Sequence, residues 1–346
     1  MDAVRPPRRP TIKDVASAAG ISHATVSRYL NKHAYVSAEA ARAIDEAIRQ
    51  VSYVPNRTAR SLVRRETKAV AFIVRESAGM FFVDANLSNM AVGANAALSA
   101  QDYQMFLLII DSERSAERIT ELITGGFVDG ALLVAMHHDD VIADLDRAGT
   151  PLVTASTPAP DTSIPTVDTD NTGGTERITR LLRATGRHRV AEIRGPHDAP
   201  VSALRHAGFV AAMGADLDPA LVVEVPEWSL AAGAAAMQDL LDRAPDLDGV
   251  VAASDLIAAG AVDALRAAGR SVPGDVGVVG FDDSPWATRT TPTLSTVRQD
   301  TLLTGTRMAE LLLRQIAGES LRGHHELLPN EVVWRESAGP LPADAS

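Results

Sequence analysis

The run T-I-K-D-V-A-S-A-A-G-I-S-H-A-T-V-S-R-Y-L-N at residues 11–31 constrains this chain more than any other stretch. Thr11, with Asp14 three residues later, has the spacing of a capping box that opens a helix. Ile12, Val15, Ala16 and Ala19 then recur at helical period and make one apolar face. Ala19-Gly20-Ile21 supplies a turn in which Gly20 takes a left-handed conformation at little cost. Ser22 caps a second helix whose Val26 and Leu30 face inward. Ser37 opens a third, whose Ala41, Ile44, Ile48 and Val51 close a small core. Two short helices at a tight turn, with a third bracing them, predict a helix–turn–helix unit over residues 11–55.

On the second helix, His23, Ala24, Ser27, Arg28 and Asn31 fall on an arc of roughly 140° opposite the apolar face. In a helix–turn–helix that arc enters the major groove, with its N-terminal residues nearest the bases. Arg28 suits a guanine edge and Ala24 a thymine methyl. Ser22, Thr25 and Ser27 suit phosphates, which set register, and Thr11 joins this DNA-facing set from the first helix. The same pattern alone also describes an ordinary helical hairpin with a solvated polar face. Charge separates the two readings. Residues 1–65 hold twelve Lys and Arg against five Asp and Glu, a net of +7, while the rest holds 21 basic and 39 acidic residues, a net of −18. A basic head on an acidic body is the electrostatic footprint of phosphate binding by one module.

From residue 69 onward, strand and helix patterns alternate. Apolar runs at 69–74, 105–110, 131–134 and 151–154 read as buried strands, and a second round follows at 189–193, 221–225, 249–252 and 276–280. Runs apolar throughout fit parallel strands covered on both faces. Two rounds predict two α/β lobes, with a ligand in the crevice beyond the strand C-termini. The segments near 166–169, 296–298 and 326–330 are candidate crossings between lobes.

These stretches, together with Y-V-P-N-R-T-A-R-S-L (53–62), V-D-T-D-N-T-G-G (167–174), S-D-L-I-A-A-G-A (254–261), V-P-G-D-V-G-V-V-G-F-D-D (272–283) and T-P-T-L-S-T-V-R-Q (291–299), resemble the lactose-repressor/galactose-repressor family of bacterial transcription factors over residues 11–337. The resemblance implies a core like a periplasmic sugar-binding protein over 68–338. Its N-lobe would be about 68–166 and 298–327, and its C-lobe about 167–297 and 328–338. Residues 1–10 would be a flexible basic arm and 339–346 a short tail with no heptad, so a homodimer is expected. Residues 56–67 match the family's hinge helix and linker. There Asn56 belongs to the DNA-facing set, Ala59 matches a small position where two hinges touch, and Leu62 matches the leucine that wedges into the minor groove. Without the resemblance, this segment is equally well a plain linker helix.

Saccharide sites pair flat aromatic faces with side chains that make paired hydrogen bonds to hydroxyls. The resemblance carries four such roles over: Arg205 in L-R-H-A-G-F, Trp228 after L-V-V-E-V, Asp282 in G-F-D-D, and Ser254 with Asp255 in S-D-L-I. Ser254 departs from the family, which often has Asn there. Gln299, after T-V-R, lies at a crossing and reaches toward the cleft. Phe81 and Phe82 follow the first strand, but G-M-F-F lacks the polar half of the family's motif, so they stand between cleft and core. Asp283 reads as a cap for the following turn.

The functional expectation is an effector-controlled transcriptional regulator. It binds a pseudo-palindromic operator as a dimer and is released by a sugar, such as the glucose-containing disaccharide cellobiose. The alternative is a corepressor-dependent regulator answering to a nucleobase or a phosphorylated metabolite. An enzyme is not expected, because the chain has no Walker A, H-E-x-x-H or G-x-S-x-G motif. No cofactor or metal is expected, and the absence of cysteine removes disulfides and thiol chemistry. No stretch is apolar enough for a membrane span, and residues 1–10 lack the apolar core of a signal peptide. A secreted solute-binding protein is therefore the weaker reading, and the expected location is the cytoplasm, at the nucleoid.

Overall fold

The computed structural model describes residues 10–30, 36–53, 66–76, 78–134, 140–155 and 163–341. Asn31, the expected hinge with Asn56, Ala59 and Leu62, and the tail at 342–346 lie outside the described residues. The chain divides into two compact units, Met1–Thr67 and Lys68–Ser346.

The first unit contains three helices, α1 (Ile12–Ala19), α2 (His23–Leu30) and α3 (Ala38–Gln50). The expected capping box forms: the Thr11 N–H and hydroxyl both donate to the Asp14 carboxylate, at 2.6 and 2.7 Å. Gly20 turns the chain with φ of 64°, in the left-handed region. The Ser22 hydroxyl accepts from the Thr25 N–H at 3.2 Å, and Ser37 caps α3 in the same way at 3.3 Å. Val15, Val26, Ile44 and Ala47 form a buried core, with Leu30 and Ile48 packed against it.

The second unit holds two parallel sheets. In chain order the strands are β1 (Ala69–Val74), β2 (Gln104–Ile109), β3 (Gly130–Val134), β4 (Leu152–Ala155), β5 (Thr166–Thr169), β6 (Val190–Arg194), β7 (Val222–Glu224), β8 (Gly249–Ala252), β9 (Gly277–Val279), β10 (Thr296–Arg298), β11 (His325–Leu328) and β12 (Glu331–Val333). The first sheet runs β11-β5-β4-β3-β1-β2, the second runs β7-β6-β8-β9, and β10 pairs antiparallel with β12. Helices cover both faces, so the strand period sorts residues between two cores. In β1, Val70, Phe72 and Val74 pack with Leu98, Leu132 and Leu312, whereas Ala71 and Ile73 pack with Ile119, Leu133 and Leu145. In β6, Ala191 and Ile193 join Met237 and Leu240, while Val190 joins Phe209.

Two expectations need correction. The run at 105–110 is apolar throughout, yet β2 is an edge strand that pairs only with β1. One flank therefore lacks a neighbour, and Phe106 and Leu107 are 52% and 39% exposed. The segment 166–169, expected as a crossing with the C-lobe starting at 167, is strand β5 of the first sheet, bonded to β4 and β11. The chain leaves the N-lobe after Thr169, and its return through β11 keeps Leu328 in the N-lobe as well. Strands that complete the N-lobe from the far side of the chain tie the two lobes through three connections, after β5, after β10 and after β11.

Candidate effector cleft and DNA-facing helix

Between the lobes, at the C-terminal ends of both sheets, lies a cavity of about 200 Å³. Its size suits a small organic ligand, not a macromolecule. The N-lobe contributes Asp84, Asn86 and Asp168 to its walls, and the C-lobe contributes Arg205, Trp228, Ser254, Asp282 and Trp286, with Gln299 at the crossing.

Arg205 is the organising group. It projects from the helix Pro200–Met213, and only 6% of it is exposed. Its Nε donates to Asn171 Oδ1 at 2.9 Å, and its guanidinium lies 3.7 Å above the Phe281 ring. Its Nη1 is 3.4 Å from the Asp282 carboxylate. Asn171 in turn donates to Asp168 at 3.1 Å, and Gln299 Nε2 donates to Asp282 at 2.7 Å. A continuous polar chain thus runs Asp168–Asn171–Arg205–Asp282–Gln299 across the cleft. It draws on four separate segments, at 168–171, 205, 282 and 299, so every member is fixed by a neighbour.

Burial pushes the Asp282 carboxyl up to about 7 against the pull of Arg205, and the facing Asp84 pushes the same way. Asn86, on the N-lobe, hydrogen-bonds to Asp282 and partly offsets that rise. Asp84 is itself raised by burial, although it accepts the Asn86 N–H at 2.8 Å as a helix cap. Burial lowers Arg205, but a guanidinium keeps its charge in a protein. Asp282 has φ of 116° and Asp283 φ of 54°. Backbone held in these regions is strained, and the surrounding hydrogen bonds fix it there.

Trp228 stands after β7 with its indole laid on the backbone of Gly195, the residue that follows β6. A Cβ at Gly195 would come within 2.2 Å of the indole, so only glycine permits this seat. Ser229 caps the following helix by accepting the Ala232 N–H at 3.0 Å, which holds the tryptophan's backbone.

Of the residues singled out in the sequence, Arg205, Trp228, Ser254, Asp282 and Gln299 come together on these walls. Three do not. Asp255 is fully buried behind the wall, accepting the Thr296 hydroxyl at 2.6 Å and the Ser284 N–H at 2.7 Å. It therefore fixes the loop that bears Asp282. Phe81 turns into the N-lobe core and Phe82 is 78% exposed, because the short helix Ala78–Val83 points them away; the wall takes Glu76 before them and Val83 and Asp84 after them. Asp283 is not the cap of the next turn, a role Ser284 takes; it holds Arg298 and Arg335, each at 2.6 Å. Asp84, Asn86, Asp168, Asn171 and Trp286 escaped the sequence reading. V-D-T-D-N-T-G-G was legible as a motif, but nothing local says that Asp168 and Asn171 turn toward Arg205.

On the head, His23, Ala24 and Arg28 are exposed along one side of α2, as a base-reading face requires. Ser22 is exposed beside Thr25, with 2.9 Å between their hydroxyls. Ser27 and Thr11 are half-buried. Arg28 is folded back along its own helix, donating to Ala24 O and Thr25 Oγ1 at 3.3 Å each. These are weak, exposed bonds that a guanine edge can replace.

A helix–turn–helix head and a two-lobed α/β core with a polar cleft define a ligand-responsive DNA-binding regulator. Residues 11–56 match the family described as bacterial regulatory proteins, lacI family, and residues 179–338 match a periplasmic binding protein-like domain. The chain is 40% identical to the HTH-type transcriptional regulator CelR of Thermobifida fusca over 95% of this chain and 98% of that protein. It is 30% identical to the HTH-type transcriptional repressor CytR of Escherichia coli over 96% and 97% of the two chains. Among solved structures, a transcriptional regulator CelR–cellobiose complex matches with a TM-score of 0.76 and 38% identity, covering 95% of this chain and all of that one. The lac repressor dimer bound to operator matches with a TM-score of 0.85 at 23% identity over 96% of this chain and all of that one, a likeness of fold. The protein belongs to the LacI family of bacterial transcriptional regulators. It is a DNA-binding regulator and not an enzyme.

Proposed function

We propose that the protein is a cytoplasmic, homodimeric repressor of carbohydrate-use genes, released from a pseudo-palindromic operator when a glucose-containing disaccharide of the cellobiose type enters the cleft. The observation that carries this reading is the Arg205–Asp282–Gln299 hydrogen-bonding set facing the same cavity as the Trp228 indole. A planar face beside paired donors and acceptors is the chemistry that recognises a pyranose. The cavity's carboxylates, Glu76, Asp84, Asp168 and Asp282, outnumber its guanidinium groups, Arg205 and Arg289. Even with Asp282 protonated and Asp84 raised by burial, the lining has no surplus of positive charge to hold a phosphate, which favours a neutral polyol. The relative seen with cellobiose supports the disaccharide.

Two heads on a dimer read two half-sites through Thr11, Ser22, His23, Ala24, Thr25, Ser27, Arg28 and Asn31, while the paired hinge segments with Asn56, Ala59 and Leu62 occupy the minor groove between them. The ligand bridges N-lobe and C-lobe groups, so it favours the arrangement in which Asp84 and Asn86 meet Asp282. Closure shifts the N-lobes and separates the hinges. The exposed Phe106 and Leu107 on edge strand β2 supply an apolar surface suited to the partner subunit. Among the described residues, no helix is long and apolar enough to cross a membrane.

A thermal-shift screen against mono- and disaccharides, purines and sugar phosphates tests the effector class. A ligand at a hundred times its Kd adds about 2.7 kcal/mol to stability. A shift with cellobiose and none with glucose 6-phosphate is expected; a shift only with a purine or a sugar phosphate contradicts the proposal.

A further inference from the structure

We propose that Trp286 is a second stacking platform, placed for a second sugar ring, and that it makes the cleft select saccharides of at least two rings. This inference rests on the carbohydrate reading above and deepens it.

The two indoles on the cavity wall come from opposite sides of the C-lobe sheet. Its strand order is β7-β6-β8-β9. Trp228 leaves β7 and rests on Gly195 at the end of β6. Trp286 lies beyond β9, on the short helix Pro285–Arg289. Two strand spacings separate β6 from β9, or roughly 10 Å across the strand ends. The two platforms are therefore rooted at separate places on the C-lobe, and both line the one cavity, an arrangement that suits two joined rings better than one. The polar chain of Arg205 and Asp282 opens onto the same cavity, where it can hold hydroxyls.

Trp286 is also mounted as a rigid platform. Ser284 caps its helix, and the Ser284 N–H is held by the buried carboxylate of Asp255 at 2.7 Å. The next residue, Ala287, is fully buried, and its carbonyl accepts the Leu294 N–H at 2.8 Å. The indole itself is half-buried. Unlike Trp228, which packs against the C-lobe core, it takes no part in that lobe's hydrophobic clusters among the described residues. A large flat side chain, fixed at its backbone and presented to a cavity instead of a core, is a ligand face.

Calorimetric titration of glucose and cellobiose into the full-length wild type, Trp286→Ala, Trp286→Phe and Trp228→Ala separates the roles. Trp286→Ala is expected to lose about tenfold in cellobiose affinity, the effect of one lost aromatic contact, with glucose binding unchanged. Trp286→Phe keeps a flat ring and restores most of the loss. Trp228→Ala loses affinity for both sugars. Unchanged thermal unfolding without ligand and unchanged operator binding show that the variants are folded. Cellobiose affinity unaltered in Trp286→Ala, or equal losses for glucose and cellobiose, overturns the proposal and leaves the carbohydrate reading standing. A wild type that binds neither sugar overturns the carbohydrate reading itself, and this inference with it.

Discussion

Arg205 and Asp282 face each other at 3.4 Å in the cleft, both shielded from solvent, and the second carries a carboxyl raised to about 7. Arg205 reaches this point from the helix Pro200–Met213 and Asp282 from a strained turn after β9. Their meeting gives the C-lobe one site that accepts and donates hydrogen bonds side by side. In the proposed function this is where ligand hydroxyls are read, and the N-lobe's Asp84 and Asn86 approach the same carboxylate.

Replacing Arg205 with Ala should uncouple the ligand from the operator. The variant loses charge-assisted hydrogen bonds worth about 1.5–3 kcal/mol each, so saccharide affinity falls at least about tenfold. The head is a separate compact unit, so operator affinity without ligand should stay within about twofold. Calorimetry and operator anisotropy on the same preparation check both. A normal saccharide response would remove Arg205 from the site.

The raised carboxyl sets a pH dependence of stability with a definite sign. Asp282 holds its proton in the folded protein up to about pH 7, whereas its ordinary value is 3.8. The folded state therefore binds more protons than the unfolded chain across that window, and stability falls as pH rises from 4 to 7, then levels off. One such group contributes a slope of at most about 1.4 kcal/mol per pH unit. Burial raises Asp255 in the same direction, and it adds its own slope in any Asp282 variant. Urea unfolding of the ligand-free protein from pH 5 to pH 8 should show wild-type stability declining more steeply than that of Asp282→Asn. Parallel curves would contradict the assignment.

The hinge carries a prediction from the family pattern alone. Leu62→Ala should weaken specific operator binding at least about tenfold, because the minor-groove wedge is lost. Cellobiose affinity of the isolated protein should be unchanged. Operator affinity equal to wild type would sink the hinge assignment.

Much of this was legible in the sequence because local chemistry wrote it. Thr11 and Asp14, Gly20 and Ser22 mark the ends of α1 and α2, and each does so with groups only a few residues away. Strands β1, β3, β8 and β9 showed as unbroken apolar runs because both their faces are covered. Position within the sheet was not legible: β2 and β1 look alike in sequence, yet one is an edge, and β5 looked like a connection. The cleft divided in the same way. Arg205, Trp228 and Asp282 were found through family motifs. Asp84, Asn171 and Trp286 reach the site only through tertiary placement, and Asp255 sits behind the wall because Thr296, from β10, claims its carboxylate.

The central claim is that one small ligand in the cleft controls grip on DNA at the head. Its most direct test is fluorescence anisotropy of a labelled duplex, selected by the protein from random DNA, titrated with protein at several cellobiose concentrations. Apparent operator affinity should fall as cellobiose rises, and saturating operator should weaken cellobiose binding by the same factor, as linkage requires. Operator affinity indifferent to cellobiose, measured where calorimetry shows the cleft filled, would contradict the account.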